Sequence, residues 1–97
     1  MSGPAMECLR LEGECTIYRA AELKPLLLDA LKPSGRVILD LSGVSEIDSA
    51  GVQLLLLAKR QAEALSCEFS LSAPSPAVAE VFQVLDLHGQ FGLQAAA

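Results

Sequence analysis

A chain of 97 residues with 52% hydrophobic content is long enough to build one hydrophobic core and too short to build two. Its net charge of −5 sets 12 acidic residues against 7 basic ones, and the basic ones (Arg10, Arg19, Lys24, Lys32, Arg36, Lys59, Arg60) are scattered. No clustered positive field is therefore present to track nucleic-acid phosphates or to hold an anionic membrane surface. Three cysteines (Cys8, Cys15, Cys67) form no C-x-x-C pair, and an odd number leaves one unpaired in any disulfide scheme, so reduced thiols are expected. The start, Met1-Ser2-Gly3-Pro4-Ala5, lacks the basic-then-apolar order of a secretory signal. The longest apolar run, 54–58, falls far short of the roughly 20 residues of a membrane span. A soluble, cytoplasmic protein without membrane insertion is expected. With no Trp and only 4% aromatic residues, its core must be layered from Leu, Val, Ile and Ala, which suits helices lying on a sheet.

One folded unit is expected over 5–93, with flexible termini at 1–4 and 94–97. Residues 8–17 alternate loosely around Gly13 and read as two short strands, or as one strand with a turn or bulge. Over 20–31, Leu23, Leu26, Leu27, Ala30 and Leu31 recur on one helical face. Pro25 fits a helix that begins near Ala21 or Glu22, where the first N–H groups lack partners anyway. Pro33-Ser34-Gly35 closes that helix with turn chemistry. The run Val37-Ile38-Leu39-Asp40-Leu41 predicts a central strand covered on both faces. A loop is expected over 42–48 and a helix over 49–65, buried at its start and wet at its end. Period-two alternation over 66–72 predicts another strand. Ser75-Pro76 then opens a last helix, as N-cap and first residue, with Val78, Val81, Phe82 and Leu85 on its inner face and an end near His88-Gly89.

The order of elements, β(β)-α-β-α-β-α, implies a mixed or parallel sheet with right-handed crossovers. In such sheets functional residues collect beyond the carboxyl ends of the strands. Here that place holds Asp48 and Ser49, either of which caps the following helix, and Ala50-Gly51, which leave little bulk around the Ser49 hydroxyl. First-turn N–H groups and the helix dipole favour an anion on Ser49.

Asp40-Leu41-Ser42-Gly43-Val44 followed by Ile47-Asp48-Ser49-Ala50-Gly51-Val52 resembles the signature loop of STAS domains, in which a strand ending in D-L leads to a D-S/T-x-G helix start. The Gly13-Glu14 turn and Ser75-Pro76-Ala77-Val78 are similar to further segments of anti-sigma-factor antagonists, and the resemblance runs from about Met6 to Gly92. It implies an α/β fold, a STAS-like mixed sheet of about four strands with three to four helices mainly on one face. It further implies that Ser49 is a phosphoacceptor and that Asp40, Ser42, Asp48, Ala50, Gly51 and Gln53 contact a partner. That partner is an anti-sigma-factor or serine-kinase-type protein, with a serine phosphatase reversing the modification. Family members often carry an acidic residue two positions after the Glu of the early G-E turn, where this chain has Thr16.

No catalytic residue, metal or cofactor is expected. His88 is the only histidine and reads as a helix-end residue, and a Ser49-His88-Asp triad would need a G-x-S-x-G elbow that is absent. One His and three dispersed Cys offer no zinc spacing, and neither phosphate-binding glycine motif occurs. Asp40 could suggest a receiver domain, but the chain is short for five βα units. The reading is a non-catalytic regulatory binding module switched at Ser49, a monomer or weak dimer. Two alternatives follow from the same resemblance: a cytoplasmic subunit of a lipid-transport ABC complex, and a chemotaxis-linked signalling protein suggested by residues 17–24.

Overall fold

The structure, a computed structural model, describes residues 6–87 and Phe91. The elements are β1 (Met6–Cys15), α1 (Ala20–Ala30), β2 (Arg36–Ile47), α2 (Ser49–Ala64), β3 (Glu68–Ser72) and α3 (Pro76–Val84). The strands form one sheet in the order β1-β2-β3, and both pairings are parallel. Each parallel pairing needs a crossover, and α1 and α2 provide them. The α/β class stands, but the described sheet has three strands where about four were expected, and it is parallel, one of the two arrangements the element order allowed, where the resemblance implied a mixed sheet. The reason lies in β1: residues 6–15 run as a single strand, with register shifts at Arg10/Glu12 and Gly13/Glu14 where two short strands were an option.

Val37, Leu39 and Leu41 of β2 are buried, while Arg36, Ile38 and Asp40 alternate onto the other face and stay at least partly open. Among the described residues the central strand is therefore covered on one face, not two. On the covered face Leu39, Leu41 and Leu71 join Leu23 and Leu27 of α1, Leu54, Leu55 and Ala58 of α2, and Val78 and Phe82 of α3 in one core cluster. A smaller cluster of Ala30, Leu31, Val37, Ala62 and Cys67 seals the end where the strands begin. All three helices thus lie on one side, as expected, and the sheet's other face is open among the described residues.

Three local features depart from the sequence pattern. Residues 42–47, expected as a loop, continue β2, because the second half of β1 pairs with them from Glu12↔Gly43 to Cys15↔Ile47. Pro25 lies inside α1 rather than at its start. Ala21 and Pro25 are both exposed, so water can satisfy the carbonyl that Pro25 leaves unpaired. Pro25→Ala is expected to raise the free energy of unfolding by about 1 kcal/mol or more, read from a urea titration.

Helices α2 and α3 both end in a Schellman motif built without glycine. Ser66 (φ 54°) and Asp86 (φ 54°) occupy the left-handed position. Cys67 N–H donates to Ala62 at 2.8 Å and Leu87 N–H to Phe82 at 2.8 Å. The strand expected from Ser66 accordingly begins at Glu68, and α3 ends at Val84; His88 and Gly89 lie outside the described residues, as do both limits of the expected 5–93 unit.

Candidate functional site

Cys15 and Ile47 are register partners at the last positions of β1 and β2, so the β1–α1 loop and the start of α2 emerge side by side. Asp48 joins them. It is the N-cap of α2 in extended conformation (φ −120°, ψ −173°). Its Oδ1 accepts from Gly51 N–H at 3.0 Å and its Oδ2 from Ile17 N–H at 3.1 Å. Of the two residues expected to cap, Asp48 does so, and its carboxylate ties the helix start to the neighbouring loop. Gly51 explains how closely they approach: a Cβ there would overlap the Cys15 carbonyl oxygen and stand 3.0 Å from Ile47 Cγ1.

The Gly51 N–H foremost, then the Ile17 N–H, hold the Asp48 carboxyl below its usual range. A folded-state pKa lowered below the unfolded one gives stability that is present above the unfolded value and lost as the pH falls through the folded value. Wild type should therefore lose more stability than Asp48→Asn as the pH drops below about 4. Equal losses in thermal melts between neutral and acid pH would reject that role for Asp48.

Ser49, the first residue of α2, is exposed, as is Gln53 one turn on, while Ala50 is half-buried and Gly51 buried. The structure brings Asp48, Ser49, Ala50, Gly51 and Gln53 together on the first turns of α2. Asp40 and Ser42 lie earlier on β2 and share a local bond of their own, Asp40 Oδ1 accepting from Ser42 N–H at 2.8 Å. That bond, ahead of the charge on Arg10, lowers the Asp40 pKa. Asp40 opens onto the uncovered sheet face beside its register partner Arg10.

Beneath the site, burial foremost and the Asp48 charge next push the Cys15 thiol up, which keeps it protonated. All three cysteines are free. Thr16, at the position often acidic in the family, is buried, and its hydroxyl donates to Glu14 Oε1 at 3.3 Å.

Several residues around the site were not singled out from sequence. Arg19 Nη1 donates to the carbonyls of Glu12 (2.6 Å) and Glu14 (2.9 Å), and Gly13 between them takes φ +81°. This clamp fixes the β1 bulge and the loop carrying Ile17 and Tyr18, which are 66% and 89% exposed. On the other side of Ser49 an open groove of about 240 Å³ is lined by Ile47, Asp48, Ser49, Glu80, Val81, Val84 and Leu85. Leu85, expected to face the core, is half exposed there. One signal was available: Val84 is an apolar residue off the inner stripe of its helix, a side chain the core does not use.

Among the described residues no helix is long and apolar enough to cross a membrane. Comparison with solved structures finds the anti-sigma factor antagonist SpoIIAA in its unphosphorylated form, at 29% identity and TM-score 0.72, covering 100% of this chain and 84% of that one. A putative anti-sigma factor antagonist from Thermotoga maritima matches at 22% identity and TM-score 0.73, over 84% of this chain and 72% of that one. A sulfate transporter family protein from Wolinella succinogenes matches at 20% and 0.75, over 95% and 75%. The last two likenesses carry the fold alone. The family model described as Mlab, STAS domain, matches residues 3–95, nearly the whole chain, and the chain therefore belongs to the STAS domain family.

Proposed function

We propose that this chain is a non-catalytic regulatory binding module of the anti-sigma-factor antagonist kind, working in the cytoplasm. It binds an anti-sigma-factor or serine-kinase-type protein through the surface around Ser49, and phosphorylation of Ser49 releases that partner. The observation that carries the reading is the placement of Ser49: exposed on the first turn of a helix whose start is locked by Asp48 and Gly51, between the exposed Ile17-Tyr18 loop and an apolar groove. The likeness to SpoIIAA, an anti-sigma factor antagonist, supports the partner class. The motif match supports Ser49 as acceptor and Asp40, Ser42, Asp48, Ala50, Gly51 and Gln53 as the residues that present or surround the contact. Asp48 acts by positioning, since its carboxylate is engaged within the chain.

In the forward step the γ-phosphoryl group of ATP passes to Ser49 Oγ, the hydroxyl proton leaves and ADP is released; a serine phosphatase hydrolyses the ester. Phosphoserine brings about −1.5 to −2 charges to the groove mouth. Enclosing such an ion in an interface costs several kcal/mol, whereas each exposed cation that meets it returns only about 0.2–1 kcal/mol. Desolvation wins, so the modification expels the partner. The helix start itself tolerates the phosphate because the dipole favours an anion there.

The test is capture from native cytosol with wild type, Ser49→Ala and Ser49→Asp, together with the intact mass of the endogenous protein. A kinase-type partner held by wild type and Ala but lost by Asp, with phosphate found on Ser49, supports the switch. An ATPase held equally by all three would replace it with a stable transporter subunit, Ser49 then being a helix-start residue only.

A further inference from the structure

Ile47, Val81, Val84 and Leu85 supply the apolar walls of the groove at Ser49, and Asp48 and Glu80 stand on it. Val84 is 76% exposed and Leu85 50%, an apolar patch that a monomer leaves wet. Asp86 follows Leu85 and Glu46 precedes Ile47, both exposed. Among the described residues none of Glu46, Glu80 and Asp86 takes part in an ion pair; the pairs there are Arg10–Glu12, Arg19–Glu22, Arg36–Glu68 and Lys59–Glu63. The groove is thus apolar along its walls, the charged residues lining it, Asp48 and Glu80, are both acidic, and no cation lines it among the described residues.

We propose that the groove receives a large apolar side chain from an amphipathic helix of the partner, and that lysine or arginine beside this anchor meets Glu80. This inference rests on the reading of the Ser49 surface as the partner-binding surface and adds what the partner must present. Three observations select the occupant. The charged residues lining the groove are acidic, so a basic segment is attracted and an acidic one repelled. A second copy of this chain, itself at −5, meets the same repulsion. The α3 wall is a helix whose backbone groups are bonded within it, so an extended segment finds no strand edge to join; side chains entering a groove are the remaining mode.

The probes are two synthetic helical peptides with leucine along one face, one bearing lysine on the other faces and one bearing glutamate. Titrated into the ¹⁵N-labelled full chain, the lysine peptide should shift the amides of Ser49, Val81, Val84 and Leu85, and the glutamate peptide should bind at least tenfold more weakly. Glu80→Lys should reverse that preference, and Val84→Glu should weaken the lysine peptide at least tenfold. Both substituted side chains are exposed, so folding is retained, and circular dichroism checks this. Equal binding of the two peptides, or shifts confined to the open sheet face at Arg36, Ile38 and Ser70, overturns the proposal. So does concentration-dependent self-association abolished by Val84→Glu, which would make a second copy the occupant. The Ser49 reading is tested separately by capture of the native partner. If Ser49→Asp releases it while Glu80→Lys and Val84→Glu do not, the groove assignment falls and the switch stands. If the groove variants lose both peptide and partner while Ser49→Asp loses neither, the groove stands and the switch falls.

Discussion

Gly51→Ala will lower the free energy of unfolding by roughly 3 kcal/mol or more, although it changes one hydrogen to a methyl group in a helix. Helix propensity alone argues the opposite, since alanine is preferred over glycine by about 1 kcal/mol in a helix interior. Sterics outweigh propensity because the new Cβ overlaps the carbonyl oxygen of Cys15 and crowds Ile47 Cγ1. The obstacle is backbone at the end of a paired strand, not the tip of a flexible side chain. Relief requires either the β1–β2 pairing at Cys15↔Ile47 to open or α2 to shift away from Leu39 and Leu41. In a chain of this size each kcal/mol moves the melting temperature by about 4–8 °C, so the fall should exceed about 12 °C in a calorimetric scan. A variant within about 0.5 kcal/mol of wild type would mean that the end of β1 yields freely. The same substitution should weaken partner binding, because it dislodges the first turn that carries Ser49.

Ser49→Asp will weaken the partner by about 100-fold or more while leaving the melting temperature at or slightly above that of wild type. The first half follows from desolvation, since a carboxylate at the groove mouth must lose its water when the interface closes. A hundredfold loss corresponds to about 2.7 kcal/mol, within the cost of burying one ion. The second half follows from the helix dipole, which favours a negative charge on the first turn by about 0.3–1 kcal/mol. Ser49→Ala should bind like wild type. The pair of measurements, affinity by titration calorimetry and stability by thermal melt, separates an effect at the surface from an effect on the fold. Lost affinity accompanied by lost stability would place the cause inside the domain and remove the case for a surface switch.

Hydropathy and capping made most of the architecture legible before the structure. α1 follows from an apolar stripe that, Leu26 apart, the core uses, α2 from its Leu-dense first half, and Ser75-Pro76 starts α3 with the Ser75 hydroxyl accepting from Val78 N–H at 3.2 Å. What escaped depends on the backbone or on a distant segment. Residues 42–47 include two Ser, a Gly and a Glu, yet they extend β2, because a parallel ladder needs only N–H and C=O groups and β1 supplies them. The ends of α2 and α3 were sought at a strand start and at a glycine. Ser66 and Asp86 occupy the left-handed position instead, a role that small polar residues fill at modest cost.

At the site, the Asp48-Ser49-Ala50-Gly51 constellation was readable because it is contiguous. The bond from Ile17 N–H to Asp48 spans thirty-one positions, and the groove needs Val81 and Val84 from a helix that follows β3. Nothing local in residues 47–51 announces either.

The parallel pairing of β1 with β2 also orders events during synthesis. Cys15 meets Ile47, 32 residues later (47 − 15), and at about 5–20 residues per second the first strand waits roughly 2–6 s for its partner to be translated. Helix formation takes microseconds or less, so α1 can form long before the sheet exists. The groove waits longer still, since its far wall is α3. A ribosome-bound fragment ending before Pro76 therefore displays Ser49 without the Val81, Val84 and Leu85 wall of the groove.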